Sequence, residues 1–339
     1  MEYTVTIALP IYNVAQYVEK SLLSALNQTF DSIEYILVDD KGNDNSMDIV
    51  HSIIAHHPRR KDIRIIEHKK NIGLGAGRNT AIEHATGKYI FFMDSDDEII
   101  PDCIRILYSK MHESPVDFIA ASIVNKERNG TILKQLNHAD KYFTDQTSIV
   151  SDYYTTKKRH VFVWNKLYNL SFLREKNIKC IPTHLNEDNV FTFQVILNAS
   201  SCRYIPDLTY YYYDTPGSIV KKAITNKITT KYAQQYTECI HFKTDYLKRY
   251  SDIIIRETVS RYIIFQTICY SINIDRSTIL SRKEKNRFLK ELISYPSGIS
   301  EIKRFKKKYF FYFMYVVYAL PFTLSSFKII NKLSSFKNK

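Results

Sequence analysis

Over its first 120 residues the chain alternates between two periodicities, and this restricts its folds more than any other feature. Short β-branched runs occur at "TVTIALP" (4–10), "IEYILVDD" (33–40), "IRIIEH" (63–68), "YIFFMD" (89–94) and "VDFIAAS" (116–122). Helix-period segments fill the intervals at about 15–27, 45–57, 75–86 and 101–113. Strands joined by helix-length crossovers predict an α/β fold, a parallel sheet with helices on both faces. Ligands of such sheets bind outside the carboxyl ends of the strands. Three of these strands end in polar groups: Pro10-Ile11-Tyr12-Asn13, Asp39-Asp40 and Asp94-Ser95-Asp96.

Beyond residue 125 the pattern is less regular. Asn129-Gly130 reads as a hairpin turn. "VFVWNKLYNLSFL" (161–173), "THLNEDNVFTFQVILNA" (183–199) and a tyrosine-rich strand "RYIPDLTYYYYD" (203–214) follow. A soft boundary falls at Pro216-Gly217-Ser218, after which residues 221–294 are helical in pattern, basic and free of glycine. The expected division is 1–220, 221–300 as a basic helical extension, and 301–339 as a tail. In the tail, "EIKRFKKK" precedes 19 uncharged residues, "YFFYFMYVVYALPFTLSSF". Four tyrosines and a proline suit a segment lying in the headgroup region of an anionic membrane better than a span. A helix folded onto the protein's own core is the alternative.

Charge is divided unevenly. Residues 1–125 carry 12 Lys+Arg against 18 Asp+Glu, net −6, whereas residues 126–339 carry 36 against 17, net +19. A basic second half points to an anionic partner, either phospholipid or nucleic acid, and the acidic first half argues against a chain-long nucleic-acid groove. The five cysteines are scattered, without a CxxC pair or zinc-ligand spacing, and read as free thiols packed inside a protein of a reducing compartment. "MEYTVTIALPIYN" opens directly with a strand and lacks the basic n-region of a signal peptide. The expected location is the cytoplasm, peripheral on the cytosolic face of the membrane.

Two acidic strand ends exceed what helix capping requires. In "KYIFFMDSDDEIIPD" (88–102) four carboxylates, Asp94, Asp96, Asp97 and Glu98, fall within five positions. Asp97 or Glu98 can cap the helix that starts near Pro101. If the strand stays extended through Asp96, Asp94 and Asp96 point to one side and form half a site for Mg²⁺ or Mn²⁺. In "ILVDDKGNDNS" (36–46), Asn45 or Ser46 can cap the next helix, which leaves Asp39 and Asp40 to accept from a base N–H or ribose hydroxyls. "NIGLGAGRN" (71–79) departs from the dinucleotide fingerprint, because Arg78 stands where a third glycine is wanted. It reads instead as a turn that brings Arg78 and Asn79 toward a phosphate or ribose.

Taken in order, "ALPIYNVAQYVEKSLLSALNQTF", "EYILVDDKGNDNS", "NIGLGAGRNTAI", "GKYIFFMDSDDEI", "VWNKLY" and "NEDNVF" resemble the inverting nucleotide-sugar glycosyltransferases of family 2 over roughly residues 3–220. The resemblance implies the GT-A fold, a Rossmann-like mixed, mainly parallel sheet with helices on both faces, here with a helical C-terminal extension. It implies that Pro10 and Tyr12 hold the nucleotide base, that Asp40 contacts it with Asp39 alongside, and that the Asp94-Ser95-Asp96 segment binds ribose and metal. It implies that Asp188, after Glu187, is the general base. A helix start capped by Asn186 explains the same residues, and both can hold together. Trp164 either packs beneath the acceptor site or meets a sugar. Asp214 departs from the family pattern, which commonly has an arginine or histidine there, so Lys221 or Lys222 is the expected substitute at the diphosphate.

The resulting expectation is a metal-dependent glycosyltransferase (Mn²⁺ or Mg²⁺) that moves a hexosyl or N-acetylhexosaminyl group from a UDP-sugar donor. Its acceptor is a saccharide or lipid-linked hydroxyl, and a homo-oligomer is compatible with it. A nucleotidyltransferase would also place acids at strand ends, but would have a basic glycine-rich loop where "PIYNVAQY" stands. A non-catalytic nucleotide-sugar-binding membrane scaffold would not need both the DSD and ED segments.

Overall fold

The computed structural model describes residues 3–156, 160–182, 186–214 and 227–294. The chain divides into two compact units, Met1–Ser218 and Ile219–Lys339. The first unit begins as the periodicity predicts: β1 (Val5–Ile11), α1 (Val18–Leu26), β2 (Ile33–Asp39), α2 (Ser46–His56), β3 (Ile63–Glu67), α3 (Leu74–His84) and β4 (Tyr89–Phe92). It continues through β5 (Glu98–Ile99), α4 (Cys103–Glu113), β6 (Phe118–Lys126), β7 (Ile132–Leu136) and β8 (Lys141–Phe143). Then come α5 (Gln146–Thr155), β9 (Lys166–Asn169), α6 (Leu170–Glu175), α7 (Glu187–Asn198) and β10 (Cys202–Tyr213).

All ten strands join one sheet, ordered β3-β2-β1-β4-β9-β6-β10-β5, with β7 on β6 and β8 on β10. The pairs β1/β2, β2/β3, β1/β4 and β6/β10 are parallel. β9 runs antiparallel between β4 and β6, and with the antiparallel pairs that β5 and β8 make with β10 and β7 makes with β6 it gives a mixed sheet. The Asn129-Gly130 turn closes the antiparallel β6–β7 pair, as expected.

Side chains alternate across the sheet and build two layers. Val5, Ile7, Leu9 and Ile11 of β1 join Tyr35, Leu37, Phe91 and Leu167 in a core packed against α1, α2 and α4. On the other face α3 lies close to β1, where a Cβ on Gly77 would sit 3.1 Å from Pro10 Cβ. Phe191 of α7 meets Phe92 and Tyr168 edge-on at 6.0 and 5.8 Å. Cys103, Cys180, Cys202 and Cys239 are free thiols in the interior, as the sequence suggests, and Cys269 is half-buried.

The DSD segment differs from the expected extended chain. β4 stops at Phe92, and Asp97 N donates back to Asp94 O at 3.1 Å, so residues 94–97 form a turn. The period-two argument for Asp94 and Asp96 therefore does not apply. Neither Asp97 nor Glu98 caps α4, whose N-cap position is Asp102; Glu98 pairs within β5.

In the second unit α8 (Thr230–Leu247), α9 (Ile253–Arg276) and α10 (Arg282–Ser294) pack together. Tyr236 and Tyr270 stack at 4.0 Å, and Lys243 Nζ donates to Gln266 Oε1 at 2.6 Å. Asp252 caps α9 by accepting from Ile254 N and Ile255 N at 2.8 and 2.9 Å. No helix among the described residues is long and apolar enough to cross a membrane. Lys221, Lys222, the Pro216-Gly217-Ser218 boundary and the 301–339 tail lie outside the described residues.

Candidate active site

The first two strand ends are locked together by side chains that the local backbone demands. Asn13 and Lys41 both adopt the left-handed conformation, with φ of 52° and 55°. Asn13 Oδ1 accepts from Asn43 N at 2.6 Å, and a Cβ on Gly42 would stand 2.7 Å from that same oxygen. Pro10 is buried at the end of β1, whereas Tyr12 just beyond it is exposed. Asp39 accepts from Lys41 N and Lys41 Nζ, both at 2.8 Å, and Lys41 Nζ also reaches Glu67 at 2.7 Å.

Asp40 is placed otherwise than its expected base contact requires. Its buried carboxylate accepts from His68 Nδ1 at 2.7 Å, Asn71 Nδ2 at 2.8 Å, Ile72 N at 2.9 Å and Gly73 N at 2.8 Å. Four donors occupy the lone-pair directions a carboxylate offers. Asp40 therefore shapes the 68–73 segment that leads into α3.

Arg78 is likewise a correction. It is 0% exposed, so it does not extend toward a phosphate. Its guanidinium donates to Asp94 Oδ1 at 2.8 Å and to Asp188 Oδ1, and it lies 3.5 Å from Glu187 Oε1. Its remaining Nε has no partner. Gly75 and Gly77 before it are helical and serve close approach, whereas Gly73 is the N-cap of α3 with φ of 94°: a Cβ on Gly75 would meet Ile181 O at 2.8 Å and Glu187 Cβ at 3.1 Å. α3 thus packs against the start of α7, and the arginine of α3 faces inward. Asn79, expected at the ligand, instead pins the chain before α7, donating to Cys180 O at 2.9 Å and accepting from Cys180 N at 2.8 Å.

The two acids at the start of α7 differ in access. Glu187 is 7% exposed, and burial and then the Asp188 charge push its carboxyl above the usual range. Asp188 is 28% exposed; burial raises its carboxyl while Arg78 opposes that rise. Asn186 holds the N-cap position, though its side chain makes no capping bond. Only Asp188 of the pair combines an accessible edge with an arginine that favours its ionised form.

In the 94–97 turn the four acids separate by role. Asp97 is buried, accepting from Tyr210 Oη and Tyr213 N at 2.9 Å each, and burial with the charges of Asp96 and Asp94 pushes its carboxyl well up. Tyr210 Oη also accepts from Asp94 N at 3.2 Å. Ser95 is buried, and Asp94 and Asp96 are half-buried. The carbonyl of Asp96 accepts from Arg128, whose guanidinium lies 4.3 Å from the Tyr17 ring and 4.1 Å from the Tyr213 ring. Asp94 keeps one carboxylate oxygen beyond its Arg78 bond. Among the described residues no group of three His, Cys, Asp or Glu side chains forms a cage for a metal. Two half-accessible carboxylates do fit Mg²⁺ or Mn²⁺, which typically bind one or two protein carboxylates and complete their shells with phosphate and water.

"VWNKLY" resolves into packing and one unforeseen charge. Trp164 is buried in a stack, 3.8 Å from Phe162 and 4.5 Å from Tyr210, so it packs below the site and is not open to a sugar. Asn165, left-handed with φ of 54°, donates to Ala121 O at 3.0 Å and accepts from Thr209 Oγ1 at 2.7 Å. Lys166 then points to the α7 face, where burial pulls its ammonium down to about 7 while Asp188 opposes that shift. Sequence reasoning did not single out Lys166, Arg128 or Tyr210. The signals were present: a lysine inside a β run, an arginine next to the Asn-Gly turn, and a tyrosine at an inward strand position.

Comparison with known proteins bears on the family and the fold. The sequence model described as glycosyl transferase family 2 matches residues 6–176. The chain is 29% identical over 222 residues to glycosyltransferase GlyA of Streptococcus pneumoniae, covering 63% of this chain and 31% of that protein. It is 32% identical over 213 residues to the poly(ribitol-phosphate) beta-glucosyltransferase of Bacillus spizizenii, covering 61% of this chain and 32% of that protein. The chain thus spans about a third of the length of these two relatives. The crystal structure of S. aureus TarS 1-349 in complex with UDP-GlcNAc superposes with a TM-score of 0.68 at 20% identity, covering 88% of this chain and 83% of that one. The fold is the GT-A-like one that the sequence suggests.

Proposed function

This chain belongs to glycosyl transferase family 2, and from that membership we propose that it transfers a sugar from a UDP-sugar to an acceptor hydroxyl in one inverting displacement. The observation that carries the reading is the Arg78 bridge, which ties Asp94 at the end of β4 to Asp188 at the start of α7. A donor-side carboxylate and an accessible base are held by one buried cation at the sheet edge where ligands bind.

The residues divide the work as follows. Pro10, Tyr12 and Asp39 border the base, and Asp94, Ser95 and Asp96 face the ribose and diphosphate. Mn²⁺ or Mg²⁺, held by Asp96 with the remaining oxygen of Asp94, would supply positive charge that neutralises the departing diphosphate. The acceptor oxygen forms its bond to the anomeric carbon while its proton passes to Asp188. The bond between that carbon and the diphosphate oxygen breaks, and its electron pair leaves with UDP. Arg78 favours the ionised form of Asp188 against the effect of burial and aims it.

TarS, a protein of similar fold, has been crystallised with UDP-GlcNAc, which supports a UDP-sugar donor. A relative acting on poly(ribitol-phosphate) supports an acceptor among surface polysaccharides or glycolipids. The basic, aromatic tail supports attachment to the cytosolic face of an anionic membrane. Incubating the protein with Mn²⁺ and a panel of UDP-sugars, followed by NMR, tests the proposal. The expected result is UDP release and a product anomer opposite to the donor's. Pyrophosphate release would mean nucleotidyl transfer, and tight UDP binding without turnover on any donor would mean a non-catalytic binder.

A further inference from the structure

A cavity of about 170 Å³ lies on the α7 face of the sheet, bordered by Lys166, His138, His160, Lys141, Asp152 and Tyr153. Lys166 is its unusual wall. The side chain is buried, 4% exposed, and its ammonium donates to Phe162 O above the ring of that residue. An ammonium carries three N–H donors, and among the described residues two of them find no hydrogen-bond partner and no carboxylate lies within 4.0 Å. A buried cation without a counter-ion is costly to keep. Lys141 is already neutralised by Asp152, and the imidazoles of His138 and His160 meet edge to face at 5.0 Å. The lining therefore offers a buried cation to whatever enters.

The position is as informative as the chemistry. Thr192 of α7 also lines the cavity, one helical turn after Asp188, and one turn rises about 5.4 Å. The Asp188 charge acts on Lys166 directly. A volume of this size accommodates about five waters, or a tetrahedral oxyanion with some of them.

We infer that this cavity is an anion subsite, taking a phosphodiester or carboxylate that the acceptor carries close to its reacting hydroxyl. Assignment to the acceptor rests on Asp188 being the base; anion binding itself does not. The full chain, with its donor site filled by saturating UDP and Mg²⁺, is titrated calorimetrically with inorganic phosphate and separately with acetate. The expected result is saturable binding of one of them, weakened about tenfold or more in Lys166→Met, because hydrogen bonds to a charged donor are among the stronger ones. UDP affinity stays unchanged in that variant. Stronger phosphate binding indicates a phosphodiester-bearing acceptor, and stronger acetate binding an acidic sugar. Wild-type crystals soaked in selenate give a second readout that needs no variant, an anomalous peak beside Lys166. Binding of neither anion, equal binding by Lys166→Met, or a cavity without selenate overturns the inference. Failure to bind UDP would instead count against the proposed donor.

Discussion

A guanidinium shared by carboxylates from two distant segments has a geometric task that a lysine cannot perform. Arg78 spans Asp94 and Asp188 with separate NH₂ groups, whereas an ammonium is a point charge. Arg78→Lys is expected to retain the fold and lose at least about tenfold in turnover, measured as UDP release. Arg78→Met leaves the carboxylates facing one another, and urea denaturation should register a loss of about 3–5 kcal/mol. Lys166 supplies a pH signature. Its folded-state value near 7 lies below the ordinary 10.5, so between those limits the unfolded chain binds a proton that the folded chain does not. Stability should therefore rise with pH across that window, by up to about 1.4 kcal/mol per pH unit, and Lys166→Met should flatten the rise in anion-free buffer. A flat wild-type profile would contradict the lowered value of the buried lysine. At this scale the sequence revealed which residues gather but not what each one touches. Arg78 stands in a segment suited to phosphate binding, yet two of its three carboxylate partners lie 109 and 110 residues away. Asp40 and Asn79 were misread for the same reason, since their donors and acceptors come from packing.

Elements are legible where their period is local. β1 to β4 and α1 to α4 fall close to their expected bounds because each carries its own hydrophobic repeat. β5, with two residues, is too short to carry one, and only the sheet assigns it a partner. Extension through the DSD segment, the condition for Asp94 and Asp96 to share a side, is not met, and an acidic run has no period to mark where extension stops. The packing of α3 on α7 depends on glycines read at first as a flexible turn. Gly75→Ala should force Ile181 O and Glu187 Cβ away, costing about 1–3 kcal/mol and lowering turnover through displacement of Asp188. Thermal unfolding combined with UDP-release kinetics checks this; a variant as stable and active as wild type would contradict the close-packing role.

Across the whole molecule, residues 1–125, which carry the donor-side acids, have net charge −6, and residues 126–339, which carry Asp188 and the tail, have net charge +19. Opposite signs suit an enzyme that approaches an anionic surface through one part and binds a metal-neutralised diphosphate with the other. Deleting residues 301–339 is expected to abolish partition into anionic liposomes, and unchanged partition would remove the membrane role from the account. The central claim concerns Asp188, and one paired measurement tests it most directly: UDP affinity and UDP-sugar turnover of Asp188→Asn beside wild type. The account predicts affinity within about threefold of wild type and turnover reduced at least about a hundredfold. Turnover at the wild-type rate would contradict it.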